Sequence, residues 1–309
     1  MILCIGTTPA AQRVMTFDQL ELDNVNRART TLDGAAGKSI NVAKVLSTMG
    51  AHPVATGFVG GDRGRELLGV LKSKGIEAEF AQVSEPTRQC ISVLDRSART
   101  VTELVEESRP ATASDYASLK AIIQRRLPRC QAVVMSGSLT PGGPKKFYEE
   151  ITLQANAAGI LSIVDAQGGA LVEALAAKPG LVKPNRRELA ATLQRTVESE
   201  TDLIAAMTQL RERGAVRVVV TAGTSATLAL HGNCLWRIQS PVISAINPIG
   251  SGDAFTAALA WRLVQGEELG EACRWGAAAG AANALSAMPG ELERCDVERL
   301  VGEVKVERL

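Results

Sequence analysis

Short, almost wholly apolar runs alternate along the chain with longer amphipathic stretches. The runs Ile2 to Ile5, Val54 to Phe58, Ala132 to Ser136, Leu161 to Asp165, Leu181 to Lys183 and Val216 to Thr221 have too few polar positions for strands with one wet face. Between them, apolar residues recur at helical spacing over Ile40 to Met49, Arg63 to Lys74, Ser114 to Leu127, Pro144 to Ala158 and Thr201 to Arg213, with Gly75, Gly159 and Gly214 as stop signals. This β-α-β rhythm predicts an α/β fold, a mostly parallel sheet covered on both faces by helices.

Two segments break the rhythm. Residues at about 11–32 and 88–107 carry short alternating patterns, such as Cys90-Ile91-Ser92-Val93-Leu94 followed by Thr100 to Leu104. They suit a small sheet that projects from the main body as a lid and excludes water, or else an ordinary pair of surface hairpins. From Asp253 onward the chain reads as all helical, and the Ala- and Gly-rich stretch Trp275 to Leu285 permits close helix packing. One domain over 1–309, with the lid segments inserted, accounts for the whole pattern.

Composition narrows the classes. With 309 residues, 46% of them hydrophobic, the chain can bury a large core. Lys and Arg (34) balance Asp and Glu (33) and no dense basic run occurs, which argues against nucleic acid as a partner. The six cysteines are scattered and the only histidines are His52 and His231, so a structural zinc site is not expected and the thiols should be reduced. The start MILCIG has no basic leader and no apolar run is long enough to span a bilayer. The expectation is a soluble cytoplasmic protein without membrane association.

The most informative stretch is Asn247-Pro248-Ile249-Gly250-Ser251-Gly252-Asp253-Ala254-Phe255, which leads into a helix. Gly250 and Gly252 let the backbone turn tightly and aim unpaired N–H groups at one point, where the helix adds its positive end. Asp253, in the first turn, is placed to accept a proton from a hydroxyl attacking a phosphate held there. A plain glycine turn with Asp253 as helix cap fits the same letters. Gly34-Ala35-Ala36-Gly37-Lys38-Ser39-Ile40-Asn41 likewise puts Lys38 at a helix start that would welcome an anion. A P-loop is disfavoured because its first glycine would fall on Leu32, and a dinucleotide fingerprint lacks its third glycine and acidic ribose clamp.

In order and spacing, LELDNVNRA, GAAGKSINVAKVL, GFVGGDRG, TRQCISVLD, TELVEESRP, VVMSGSL, VKPNRREL and NPIGSGDAF resemble the ribokinase-like (PfkB) carbohydrate kinases nearly end to end, within the branch of tagatose-6-phosphate kinases and 1-phosphofructokinases. TRQCI leans toward the former, since the latter usually carry Asn where Cys90 stands. The resemblance implies a doubly wound ribokinase-like sheet with a small β-sheet lid, and ATP-dependent phosphorylation of a hexose phosphate.

It also implies roles. Asp253 matches the catalytic base, and Gly250, Ser251 and Gly252 the anion hole. Asn185 and Glu188 match an N-x-x-E pattern, in which Glu188 helps hold Mg²⁺ through water, although a helix cap is the alternative for both. Thr221, Gly223 and Asn283 match nucleotide contacts. Gly37, Lys38 and Asn41 match the acceptor segment, Arg88 the arginine for its phosphate, and Ser138 a further phosphate contact. Gln12 stands where the family places a sugar-binding aspartate, and Ala36 and Ser39 replace two glycines, which is expected to crowd the acceptor side. The alternatives are a kinase of an unphosphorylated sugar or nucleoside, or a sugar-phosphate-binding regulator that has lost turnover. The exposed edge of a lid sheet invites pairing, so a homodimer through the lid is expected.

Overall fold

A computed structural model describes residues 1–309. The main sheet contains β1 (Ile2–Gly6); a second sheet begins with β2 (Ala10–Phe17) and β3 (Thr30–Ala36). The main sheet continues with β4 (Pro53–Val59) and the short β5 (Glu77–Ala78) and β6 (Ala81–Gln82), and the second is completed by β7 (Arg88–Asp95) and β8 (Thr100–Val105). Strands β9 (Ala132–Ser136), β10 (Leu161–Asp165), β11 (Leu181–Val182) and β12 (Arg217–Ala222) extend the parallel part, in the order β12-β11-β10-β9-β1-β4. The antiparallel strands β13 (Ser225–His231), β14 (Cys234–Gln239) and β15 (Lys305–Arg308) close one edge.

Alternation along the central strands divides the core in two. Cys4 and Val134 face α1 (Lys38–Thr48), α2 (Gly61–Ser73), α8 (Ser251–Val264), α9 (Leu269–Ala284) and α10 (Arg294–Val301). Leu3, Ile5, Val133 and Met135 face α3 (Ala113–Arg126), α4 (Phe147–Ala157), α5 (Gly168–Leu175), α6 (Arg186–Leu193) and α7 (Glu200–Glu212). Because both faces are covered, β1 and β9 are buried at every position, which explains their unbroken apolar runs. The small residues of α9 let it lie close against α8, with Gly276 directly under the Phe255 ring.

Several elements differ from the sequence reading. The chain beyond Asp253 is not all helical: Lys305–Arg308 pairs with β14 as an edge strand, held by pairing rather than by burial of its own side chains. The hairpin β13–β14 was not expected, although Gly232-Asn233 is a two-residue turn signal. The helix expected from Pro144 starts at Phe147. Both interrupting segments do form one four-stranded sheet, ordered β3-β2-β7-β8.

Candidate active site

Gly250 is the N-cap of α8, with φ 85° in the left-handed region that glycine tolerates best. No side chain caps this helix; the Ser251 amide turns back to Pro248 O, and those of Gly252 and Asp253 are left without a backbone or side-chain acceptor. They point as an anion-binding helix start should. Asp253 sits in the first turn rather than at the cap, buried, and accepts a 2.8 Å hydrogen bond from Asn41 Nδ2. Burial pushes its pKa from 3.8 up to about 6, opposed by the positive charge of Lys38 and reinforced by the negative charge of Asp165. A carboxylate so tuned is a better proton acceptor near neutral pH than a solvated one.

Helix α1 brings Lys38 and Asn41 to the same place. Its N-cap, Gly37, has φ 104°, and an added Cβ would come within 2.9 Å of Pro9 Cα. Lys38 Nζ lies 3.2 Å from Asp165 Oδ1 and 3.4 Å from Glu188 Oε1. Burial opposes its charge, but Asp165, Asp253 and Glu188 together outweigh it and hold the ammonium protonated. Ser39 does not crowd the acceptor side as expected: it is buried against β1, where a Cβ on Gly6 would come within 2.3 Å of Ser39 Oγ. Ala36 is buried too, paired with Ala10 in the small sheet.

Asp165, Lys183 and Thr256 escaped the sequence reading. Asp165 ends β10, is fully buried, and lies between Lys38 and Lys183, whose Nζ is 3.3 Å from Asp165 Oδ2; Thr256 donates to the same oxygen at 2.7 Å. Burial works against its ionisation, but Lys183, Lys38 and the Thr256 bond keep its pKa below the ordinary carboxylate range. Its position at the carboxyl end of a central parallel strand was the signal that could have found it.

Lys38, Arg88, Gly137, Ser138 and Glu188 line one cleft of about 330 Å³. Arg88 directs Nε and Nη2 at Thr8 O (3.2 and 3.0 Å) and Nη1 at Glu106 O (3.3 Å), leaving two of its five N–H groups for a ligand. Gln12 is not in that cleft; it is buried in β2 with Nε2 donating to Ser92 Oγ at 2.9 Å. A larger cleft of about 570 Å³, lined by Lys44, Lys74 and Glu291, contains none of the sequence-predicted residues.

Asn185 caps α6: its side chain accepts from Glu188 N and Glu188 Oε2 accepts from Asn185 N, each at 2.8 Å. The capping box leaves Asn185 Nδ2 and Glu188 Oε1 for other partners. Thr221 and Gly223 follow at the end of β12, with Thr221 bridged to Asn185. Asn283 is wholly buried: Nδ2 donates to Ile249 O (2.9 Å) and Ser251 Oγ (3.3 Å), and Oδ1 accepts from Gly290 N (2.7 Å). It braces the glycine turn from behind, with both polar ends of its side chain engaged within the protein.

The pfkB family carbohydrate kinase model matches residues 1–292. The chain belongs to this family. It is 30% identical over 309 residues to a tagatose-6-phosphate kinase of Staphylococcus epidermidis, covering 99% of each chain. Escherichia coli phosphofructokinase-2, solved with fructose-6-phosphate, superposes with a TM-score of 0.87 at 25% identity over 97% of this chain and 98% of that one; the same protein has been solved as a tetrameric inhibited form. A Thermotoga maritima protein described as a possible 1-phosphofructokinase shares the fold, with TM-score 0.91 at 24% identity over 100% and 99%. As expected for this kinase fold, the main sheet is mostly parallel with helices on both faces, and a second small sheet is present. No helix is long and apolar enough to cross a membrane.

Proposed function

We propose that the protein transfers the γ-phosphoryl group of ATP to a hydroxyl of a hexose phosphate of the tagatose-6-phosphate or fructose phosphate type. The observation that carries this reading is the buried Asp253 carboxylate, its pKa raised to about 6, beside free amides at the start of α8 and the Lys38–Arg88 cleft. Asp253 takes the proton of the acceptor hydroxyl, while the amides of Gly252 and Asp253 stabilise charge on the transferred group. Lys38, Arg88 and Ser138 hold the acceptor phosphate. The names of the S. epidermidis and E. coli relatives support the acceptor class.

No three acids converge to cage a metal by themselves. Asp165 is occupied by two lysines, but Glu188 Oε1 is held by Lys38 alone. That donor set fits a Mg²⁺ carried mainly by water and nucleotide phosphates, with Glu188 reaching it through water. Mg²⁺ bound there would neutralise charge on those phosphates. Asn185, Thr221 and Gly223 line the nucleotide side.

The small sheet, carrying Gln12 and Arg88, serves as a lid over the acceptor. It also bears exposed Leu22, Val25, Leu32 and Val105 on or beside its strands, which supports a homodimer through the lid; sedimentation at low concentration tests it. A second reading, a kinase of an unphosphorylated sugar, has one observation in its favour: Arg88 already serves two backbone carbonyls. ADP release with ATP, Mg²⁺ and a panel of phosphosugars, each beside its unphosphorylated parent, decides. Turnover confined to parent sugars, or none at all, would overturn the hexose-phosphate assignment.

A further inference from the structure

After α9 the chain makes a tight turn through Met288, Pro289 and Gly290. Three parts of the protein meet on it. Met288 is buried with Val14 of β2 and Leu94 of β7, and a Cβ added at Gly34 of β3 would lie 3.1 Å from Met288 Cε. Pro289 O accepts from Lys44 Nζ of α1 at 2.5 Å, and the same ammonium donates to Ala35 O at 2.8 Å. Gly290 N donates to Asn283, which braces Ile249 and Ser251. The turn also touches the phosphoryl-site glycine directly: a Cβ on Gly250 would lie 3.0 Å from Gly290 N and 3.1 Å from Pro289 Cβ.

We propose that the Met288–Gly290 turn links the seating of the small sheet to the geometry of the Ile249–Gly252 turn, with Met288 and Asn283 as positioning residues. The proposal rests on the phosphotransfer reading of that glycine turn. Gly250 and Gly252 impose little conformational restraint of their own, yet amides that stabilise a transition state must be fixed in advance. The restraint comes from Asn283 and Gly290. Their turn is held in place when Met288 fills the apolar contact with Val14 and Leu94. Lifting the sheet exposes all three side chains to water, so the seated sheet and the ordered turn favour each other.

Amide hydrogen exchange read by mass spectrometry tests this without any acceptor. The variants are Met288→Ala, Val14→Ala, their double, and Met288→Leu. Each alanine variant is expected to speed exchange of the hydrogen-bonded amides of this region, those of Ile249, Ser251 and Gly290, by about tenfold, the double by no more than either single, with Met288→Leu near wild type and β9 unaffected. In turnover, Met288→Ala should lower kcat by about tenfold with the KM for ATP changed by less than about twofold. An effect of Val14→Ala confined to the small sheet, an additive double variant, or a general rise that includes β9 would overturn the proposal. Wild type that releases no ADP with any sugar would sink the kinase reading instead, and the exchange pattern would still decide the linkage.

Discussion

Asn41 donates its side-chain amide to the Asp253 carboxylate at 2.8 Å across 212 positions of sequence. The bond joins the starts of α1 and α8 and fixes one carboxylate oxygen, aiming the other. Asn41 Oδ1 is left buried without a partner, so the contact is retained at the cost of an unsatisfied acceptor. Such a cost is typical of a site that must hold a base in one orientation.

Asp253 must be ionised to accept a proton, and its pKa of about 6 sets the window. The kcat/KM for the acceptor should therefore rise with pH through about 6 and level above it. Asp253→Asn should reduce kcat by roughly 10² to 10⁴ while ATP still binds. Wild-type-like turnover in that variant would leave Asp253 no role beyond the first turn of its helix.

The same shift affects stability with a definite sign. The folded-state pKa, about 6, lies above the ordinary 3.8, so between these values the native protein binds more protons than the unfolded chain. Stability contributed by this group falls as pH rises from about 4 to 6, and the penalty is complete above. Calorimetry at pH 8 should find Asp253→Asn more stable than wild type by on the order of 2–3 kcal/mol, with the difference vanishing near pH 4. A lower melting temperature at pH 8 would contradict the burial argument.

Arg88 and Lys38 should separate phosphorylated from neutral acceptors. A charge-assisted hydrogen bond contributes roughly 1.5–3 kcal/mol, so Arg88→Ala should raise KM for a phosphosugar by about 10- to 150-fold with little change for ATP. Lys38→Met should act in the same direction and, because Lys38 lowers the Asp253 pKa, should also move the acid limb above pH 6. Equal losses on a phosphosugar and its parent would argue against phosphate recognition.

Glu188 has two functions that substitution can part. Glu188→Gln keeps an oxygen to accept from Asn185 N, preserving the capping box, but removes the charge facing Lys38 and the metal. The Mg²⁺ concentration for half-maximal activity should rise by about 10- to 100-fold with the melting temperature nearly unchanged. An unchanged Mg²⁺ requirement would confine Glu188 to capping.

Gln12 tests where the acceptor lies. Gln12→Asp removes a donor to Ser92 Oγ, but the Ser92 hydroxyl can rotate to donate instead. Because Gln12 is buried outside the Lys38–Arg88 cleft, the introduced carboxylate should lower the melting temperature and leave KM for tagatose or fructose phosphates nearly unchanged. A change in kcat/KM for one sugar phosphate and not for ATP would instead put Gln12 at the acceptor.

The parallel strands were legible because burial on two faces leaves an unbroken apolar run, and the glycine turn because its letters dictate backbone shape locally. Leu161 to Asp165 and Ala132 to Ser136 were read to the residue for this reason. The edge strand Lys305–Arg308 was not legible, since it exists only by pairing with β14. Asp165 and Lys183 were silent in sequence because a carboxylate between two lysines is a product of β10, α1 and the end of β11 converging, not of spacing. Asn283 was assigned to the nucleotide only through the family resemblance, and that its amide faces the back of the glycine turn depends on which neighbours accept and donate. Asp253 itself was readable as a residue at a helix start, whereas its raised pKa came from burial and from the nearby charges of Lys38 and Asp165, quantities that only packing sets.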